Sequence, residues 1–288
     1  MTIARRTVVF CPSCGSTDAS ASDDELTPPG YTRMLCGHCF HWAFCDEWEL
    51  KFHWNTSLSL APDAPLPRFV LPFERLEHAV RWGAILSRAE SVDGDAFASE
   101  PAVRALCDAV REAWSEPHRR YHSLQHLSEC LRWLDDPALD GALVRPLEVE
   151  LALFFHDLAY DTTRSDNEEV SAERAVALLS AVDGADGAAI ERVRAMILAT
   201  KSHVADTDDA RLMLDVDLSI LGADERRFAE YEQQIREEYH WVPDEVYRAG
   251  RRRVLAGFAE RARIFQSPIM FERLEARAKD NLARALAR

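Results

Sequence analysis

Residues 151–157 read LALFFHD, so a histidine and an aspartate directly follow an unbroken apolar run. Leu151, Phe154 and Leu158 recur at spacings of three and four residues, which is the period of an α-helix with a buried face. Burying a charged carboxylate without a partner is costly, and a bound metal ion removes that cost. The stretch therefore predicts a core helix that ends in a candidate metal-binding pair.

The helical spacing continues through most of residues 73–288. Pro101 and Pro243 stand where helices are expected to begin, and Gly222 stands where one is expected to end. We expect about nine helices, and we find neither strand-like alternation after residue 73 nor an internal repeat of about 20 to 50 residues. The sequence thus predicts an all-α helical bundle over residues 73–288.

Residues 1–55 differ in composition, since they hold five of the seven cysteines. Four of the five form two C-x2-C pairs separated by 21 residues, namely Cys11, Cys14, Cys36 and Cys39. Four thiolates are a common ligand set for tetrahedral zinc, and they leave no open coordination position for a substrate. We predict a small zinc-ribbon module with a structural zinc ion, with uncoordinated thiols or a redox pair as the alternatives.

Residues 56–72 carry four prolines and are predicted to be a linker, because proline at that density stops helices and central strands. The cysteine module before them has a net charge of −3, and four thiolates around one dication add about −2 more. Nucleic-acid binding by the module is therefore disfavoured. Docking of a protein partner, dimerisation and regulation remain open as its roles.

The whole chain of 288 residues has a formal net charge of −15, with −17 in residues 56–243 and +5 in residues 244–288. Such an acidic body repels DNA and RNA, whereas a small phosphate ester can bind where a metal ion and arginines reverse the local potential. The sequence has no uncharged apolar run of about 18 residues and no apolar segment near its start. We therefore expect a cytoplasmic protein without a membrane span.

Four segments of the helical part carry candidate chemistry, and they are residues 119–126, 155–157, 200–203 and 213–219. The first is predicted to place His122 and His126 on one face of a helix, because they are four residues apart. The last contains Asp215 and Asp217, which lie about 200° apart around a helix and cannot both face one ion. Taken singly, each segment is also explained by a buried histidine or carboxylate with an ordinary partner.

Taken together, His126, the pair His156 and Asp157, and Asp217 resemble the H…HD…D signature of the HD superfamily of metal-dependent phosphohydrolases. The resemblance covers about residues 73–288. Segments 121–126 and 217–219 are similar to the first and last ligand motifs of cyclic-nucleotide phosphodiesterases. Segments 119–122, 156–161, 167–168 and 217–222 are similar to a bacterial group of predicted HD phosphohydrolases. The zinc ribbon departs from that group's layout, so its role is not carried over.

The resemblance implies that His126, His156, Asp157 and Asp217 bind one metal ion, with Asp157 able to bridge a second. Imidazole and carboxylate ligands suit Zn, Mn, Fe, Ni or Co, and Mg is a further candidate. The resemblance also implies that His122 is the general acid that protonates the leaving oxygen. Asp157 and His122 are thus expected in the catalytic set.

Several further residues near these motifs have open roles. Arg119 is expected either to clamp a phosphate oxygen or to form a surface ion pair. His203 is expected to be a ligand of a second metal, a substrate contact or a structural residue. Glu168 and Asp161 are expected either to form hydrogen bonds that hold the ligand histidines or to contact the substrate.

These residues favour a metal-dependent phosphohydrolase that cleaves a small phosphate ester, with a nucleotide as the first choice, by metal-activated hydroxide. One alternative is a non-catalytic HD-domain protein that senses a nucleotide or binds a partner. The other is an HD-type diiron oxygenase, which needs additional histidines. Because only His203 lies between His156 and Asp217, the chain is one histidine short of that arrangement.

Overall fold

A computed structural model describes residues 19–22, 32–36, 42–45, 76 and 101–288. Its first part is an antiparallel sheet in the order β1 (Ala19–Ser22), β2 (Thr32–Cys36) and β3 (Trp42–Cys45). Among the predicted zinc ligands, Cys36 is the last residue of β2. The other three, Cys11, Cys14 and Cys39, lie outside the described residues, as does the predicted linker 56–72.

Residues 101–288 form nine α-helices and contain no strand, which confirms the all-α prediction for this range. The helices are α1 (Pro101–Trp114), α2 (Leu124–Leu134), α3 (Pro146–Phe155), α4 (Asn167–Ser180), α5 (Gly187–Ala199), α6 (Asp208–Asp217), α7 (Glu225–Glu238), α8 (Asp244–Ala259) and α9 (Pro268–Leu286). Two 3-10 turns, Pro137–Leu139 and Leu218–Gly222, complete the described elements of this range. Within these described helices, none combines the length and hydropathy needed to cross a bilayer.

Helix α3 lies at the centre of the bundle. All its residues from Glu148 to Phe155 are buried, and it packs against α2, α5 and α6. Trp114 of α1 donates its indole N–H to the carbonyl of Phe154 at 2.9 Å. Arg192 of α5 binds both carboxylate oxygens of Glu148 at 2.7 Å, so this buried charge is paired. The end of α3 is thereby fixed by its neighbours.

Helix α9 packs closely against the 3-10 turn that follows α6. The turn ends at Gly222, where a Cβ atom would lie 2.8 Å from the Cβ of Leu274. Only glycine fits this approach without a shift of the α9 backbone or of Leu274. Gly222, which the sequence predicts at the end of a helix, therefore ends the 3-10 turn that follows α6. It also allows α9 to pack closely against this turn.

Candidate metal centre

Three side chains from separate helices converge at the end of α3. His126 of α2, His156 directly after α3 and Asp217 at the end of α6 each offer a ligand atom, and these atoms all lie within 4.8 Å of one another. Asp217 Oδ1 is 3.1 Å from His126 Nε2 and 3.4 Å from His156 Nε2. The two Nε2 atoms are 3.4 Å apart. Two imidazole nitrogens and one carboxylate oxygen thus face a common point.

The hydrogen bond on the far side of His156 makes this ring suitable as a ligand. Its Nδ1 lies 2.8 Å from the carbonyl oxygen of Leu153, which can only accept a hydrogen bond. The proton of the neutral ring therefore sits on Nδ1, and the Nε2 lone pair faces the cluster. Asp157 Oδ2 is 3.0 Å from the same Nε2, so a second carboxylate stands at the edge of the centre. This donor set fits a divalent metal ion.

The electrostatics of the cluster favour positive charge at its centre. Burial alone lowers the pKa of His156, but the charges of Asp157 and Asp217 outweigh burial and raise that pKa well above its ordinary value. Burial likewise opposes the charge on Asp217. The charge of His156 and the hydrogen bond from His126 nevertheless hold the pKa of this carboxyl well below its usual range. The pKa of Asp157 is also lowered, since the charges of His156 and His122 outweigh burial.

Asp215 and Asp217 point to different sides of α6. Asp215 is buried, and its two oxygens accept hydrogen bonds from the backbone N–H groups of Gln266 and Ser267 at 2.8 and 2.6 Å. Asp217 faces His126 instead. The structure therefore places Asp217 in the cluster, whereas Asp215 holds the segment before α9. The 200° separation predicts that the two side chains point to different sides of the helix, and the resemblance chose Asp217 between them.

His203 lies at the rim of the cluster, just after α5. Its Nε2 is 3.2 Å from Asp217 Oδ2, the oxygen that does not face His126. Its backbone has a φ of +51°, a conformation that is strained for a residue with a side chain. Arg261 and Gln266 donate hydrogen bonds to its carbonyl and hold the turn. His203 is thus positioned to orient Asp217.

The prediction that His122 and His126 share one helix is wrong. Helix α2 begins at Leu124, so His122 lies in the turn before it. The backbone N–H groups of residues 120, 121 and 122 donate to Glu238 Oε1 at 2.7, 2.9 and 3.0 Å. A carboxylate from α7 therefore takes the donors of this segment and holds it outside the helix.

His122 nevertheless lies beside the centre, with its ring centroid 6.1 Å from that of His126. Its Nδ1 is 2.8 Å from Glu238 Oε2, which also accepts the hydroxyl of Tyr160 at 2.8 Å. The Tyr160 and His122 rings stack with centroids 4.0 Å apart. Burial lowers the pKa of His122, but other interactions outweigh burial and raise this pKa above its ordinary value. The charge of Glu238 is the largest of them.

Glu238 is the main residue that the sequence analysis missed. Burial raises its pKa, but the charge of His122 and the backbone N–H groups lower that pKa to about 2. The sequence did carry a signal for it. Phe228, Tyr231 and Ile235 form the buried face of α7 at spacings of three and four, and Glu238 continues the series. A carboxylate at a position that continues the apolar face of a helix indicates that it has a buried partner.

Of the two roles predicted for Arg119, the structure shows the ion pair, which joins its buried guanidinium to the partly exposed Glu116. Its side chain is fully buried, and its guanidinium binds Glu116 and the backbone carbonyls of His122, Asp157 and Leu158. The closest of these carbonyl contacts, to Asp157, is 2.7 Å. All five N–H groups are used, so none faces a phosphate. Arg119 instead ties the His122 turn to the end of α3.

Asp161 and Glu168 also lie away from the ligand histidines. Exposed Asp161 accepts hydrogen bonds from the backbone and hydroxyl of Thr163, at 2.8 and 2.7 Å, and so closes a surface turn. Glu168 lines the cavity described below, with a carboxylate oxygen 3.9 Å from Lys201 Nζ. Asp161 therefore stabilises a surface turn, and Glu168 forms a surface ion pair, instead of supporting a ligand histidine.

The cluster opens into a cavity of about 680 Å³. One wall consists of His122, His156, Asp157, Tyr160, His203 and Asp217 together with the polar and charged residues Arg164, Ser165, Asn167, Glu168, Thr200 and Lys201. A second group of lining residues comes from α7, α8 and the turn between them, and this α7–α8 wall is largely apolar and aromatic. The volume is that of a small-molecule site.

A comparison of the chain with protein-family models, with curated proteins and with solved structures finds no match. The chemistry of the molecule is therefore inferred from the groups that meet in this cavity. They are a nitrogen and oxygen cluster suited to a divalent cation, a histidine held by a buried carboxylate, and a wide apolar wall.

Proposed function

We propose that this protein is a metal-dependent phosphohydrolase of the HD type that cleaves a small phosphate ester, with nucleotides as the first class to screen. The observation that carries the proposal is the convergence of His126, His156 and Asp217 at the floor of a cavity of ligand size. Asp157 completes the proposed ligand set from the edge of the centre. The structural zinc ion on the four N-terminal cysteines stays a separate prediction.

The ligand set supports this chemistry because it mixes imidazole and carboxylate donors. Such a set suits Zn, Mn, Fe, Ni or Co and leaves coordination positions open to solvent. A divalent ion held there supplies Lewis-acid stabilisation and lowers the pKa of water toward about 7. The protein supplies the positions of the ligands, through the Leu153 carbonyl on His156 and the His203 contact on Asp217.

His122 is the proposed general acid for the leaving oxygen. Its Nδ1 is held by Glu238, so Nε2 is the nitrogen left for a substrate in the cavity. The interactions led by Glu238 raise its pKa, which favours the protonated imidazole that an acid requires. Lys201 and Arg164 also line the cavity, but Lys201 pairs with Glu168 and Glu169 and Arg164 pairs with Asp166, so the proposed ion is the main positive charge offered to a phosphate.

The two aspartates of α6 provide a matched test. Asp217→Asn should remove most of the metal, measured by elemental analysis of the purified protein, and should abolish phosphate release from a panel of nucleotides and simple esters. Asp215→Asn is the control. It should keep the metal, because its carboxylate oxygens bind the backbone N–H groups of residues 266 and 267 and do not face the cluster. It should lower the free energy of unfolding by about 1–3 kcal/mol through a weakened charged hydrogen bond.

Three results would contradict the proposal. The first is an Asp217→Asn protein that keeps both metal and activity. The second is loss of the metal in Asp215→Asn alone. The third is a wild-type protein that releases phosphate from no ester with any of Zn, Mn, Fe, Ni, Co or Mg. If that protein still binds nucleotides, the non-catalytic sensor becomes the better description.

A further inference from the structure

One side of α8 presents a row of apolar positions to the cavity. Val246, Gly250, Val254 and Phe258 are spaced four residues apart, so they lie along one face of the helix, and all four line the cavity. Val246 is 62% and Val254 50% exposed. A contiguous exposed apolar row beside a site marks a binding surface more often than a single exposed side chain does. These four positions are called the α8 stripe below.

Gly250 leaves a gap in the middle of the α8 stripe. A Cβ atom at this position would meet no atom within 4 Å, so nothing in the fold requires glycine there. Glycine in the body of a helix costs stability relative to alanine. The gap between two half-exposed valines instead gives the wall a concave centre, which a flat apolar group can enter.

Aromatic rings line the cavity beside the α8 stripe. Tyr239, just after α7, and Tyr247 of α8 both line the cavity, and their ring centroids lie 6.2 Å apart. Tyrosine rings offer large apolar faces at little cost in conformational entropy. Among the described cavity residues of α7 and α8, the only neutral hydrogen-bonding side chains are tyrosines. This wall is therefore poorly suited to a sugar or a polyol.

The charge at the rim indicates that the occupant is also an anion. Arg253 is exposed and lines the cavity next to Val254, and it forms no ion pair or hydrogen bond within residues 101–288. Lys201 also lines the cavity, where it pairs with Glu168 and Glu169, so Arg253 is the cation that carries the argument. Cations at the mouth of a cavity in a chain of net charge −15 attract a negatively charged ligand locally.

We infer that the substrate is a phosphate ester whose alcohol carries a bulky apolar, aromatic group, and that the α8 stripe binds this group. The inference rests on the proposed function, because the phosphate is assigned to the metal cluster and His122, which line the same cavity; Phe258 of the stripe lies closest to them, with its ring centroid 5.7 Å from that of His203. The stripe then discriminates among esters by the size and polarity of the group that leaves. Gly250 is the specificity-determining position, since it sets the depth of the wall.

The test uses two non-hydrolysable probes, 1-naphthylmethylphosphonate and methylphosphonate, in calorimetric titrations of the full chain. Wild type should bind the naphthyl probe at least about tenfold more tightly, because burial of the ring adds to the affinity of the phosphonate. Gly250→Phe fills the gap and should remove at least about tenfold of the naphthyl affinity while leaving methylphosphonate unchanged.

Gly257→Phe is the matched control. Gly257 lies on the same helix and also has no atom within 4 Å of a built Cβ, but it does not line the cavity. Its variant should bind both probes as wild type does. Val254→Ser gives a second variant with a smaller change in volume, and it should weaken naphthyl binding while sparing methylphosphonate.

The inference is overturned if wild type binds the two probes equally, or if Gly250→Phe and Val254→Ser keep the full naphthyl preference. It is also overturned if these variants change only the sedimentation coefficient, which would assign the α8 stripe to a contact between proteins. Failure of the proposed function gives a different result, since the naphthyl preference would persist while no ester releases phosphate.

Discussion

Helix α8 and the His156–Asp157 pair that directly follows α3 line the same cavity, and the two helices are built in opposite ways. Every residue of α3 from Glu148 to Phe155 is buried, and the helix ends at His156. In α8 the single buried residue is Leu255, and a large part of its surface faces the cavity or solvent. His156 of the candidate metal cluster thus directly follows an almost fully buried helix, whereas the apolar wall is carried by a largely exposed one.

The difference matches what each wall has to do. Metal ligands must be held in fixed positions, so they are best placed on elements with packed neighbours on all sides. A wall that contacts a variable organic group needs shape and area, and it can tolerate substitution. The two helices should therefore respond to mutation with very different changes in the free energy of unfolding.

The largest effect is expected in α3. Phe154→Ala removes a fully buried ring from the core and should lower the free energy of unfolding by about 3–5 kcal/mol. Urea denaturation followed by circular dichroism measures the change. Val254→Ala on α8 is the control and should stay within about 0.5 kcal/mol of wild type. Similar losses in the two variants would remove the contrast between the helices.

An intermediate effect is expected at Glu238, which joins α7 to the turn that carries His122. Glu238→Gln keeps an acceptor for the three N–H groups but removes the charge, and it should cost about 1–3 kcal/mol. The pKa of His122 should fall, so the basic limb of the pH–rate profile should move to lower pH. Glu237→Gln, one residue away and exposed, should change neither quantity.

The loss of unfolding free energy in Glu238→Gln should depend on pH in a defined direction. The raised pKa of His122 contributes stability below about 6.5, and this contribution is lost as the pH rises through the raised value. The pKa of Glu238, lowered to about 2, contributes stability above about 4.5 that is lost as the pH falls through 2. The difference between wild type and Glu238→Gln should therefore be largest between about pH 4.5 and 6.5. A difference that grows above neutral pH would contradict the pairing.

The smallest effect is expected in α8 and has the opposite sign. Gly250→Ala meets no neighbouring atom and should raise the free energy of unfolding by about 0.5–1 kcal/mol through helix propensity. Thermal denaturation should show a higher midpoint. Gly222→Ala makes the contrast, because its Cβ would lie 2.8 Å from that of Leu274, and it should lower the midpoint.

The sequence predicted the helices better than the contacts between them. Helix α1 begins at Pro101 and α8 begins directly after Pro243, since proline favours the first turn of a helix. The separation of Asp215 from Asp217 also followed from helix geometry alone. These features depend on residues close together in the chain, which is why local patterns reveal them.

The contacts that define the site depend on residues far apart. His122 and Glu238 are 116 residues apart, and the spacing of His122 from His126 wrongly indicated one continuous helix. Arg119 was expected at a phosphate or at the surface, but the end of α3 offers it carbonyl groups that no local pattern reveals. Long-range pairing of this kind leaves only indirect signals in the sequence, such as a carboxylate that continues the apolar face of a helix.

The hydrogen bonds of Asp215 have a consequence for the order in which the protein is made. His126, His156 and Asp217 are all synthesised before residues 266 and 267, whose N–H groups bind Asp215 two positions from the ligand Asp217. A nascent chain therefore contains all the ligands before it contains the segment that holds α6 in place. During translation, the carboxylate of Asp215 stays without these two backbone donors until residues 266 and 267 have been added.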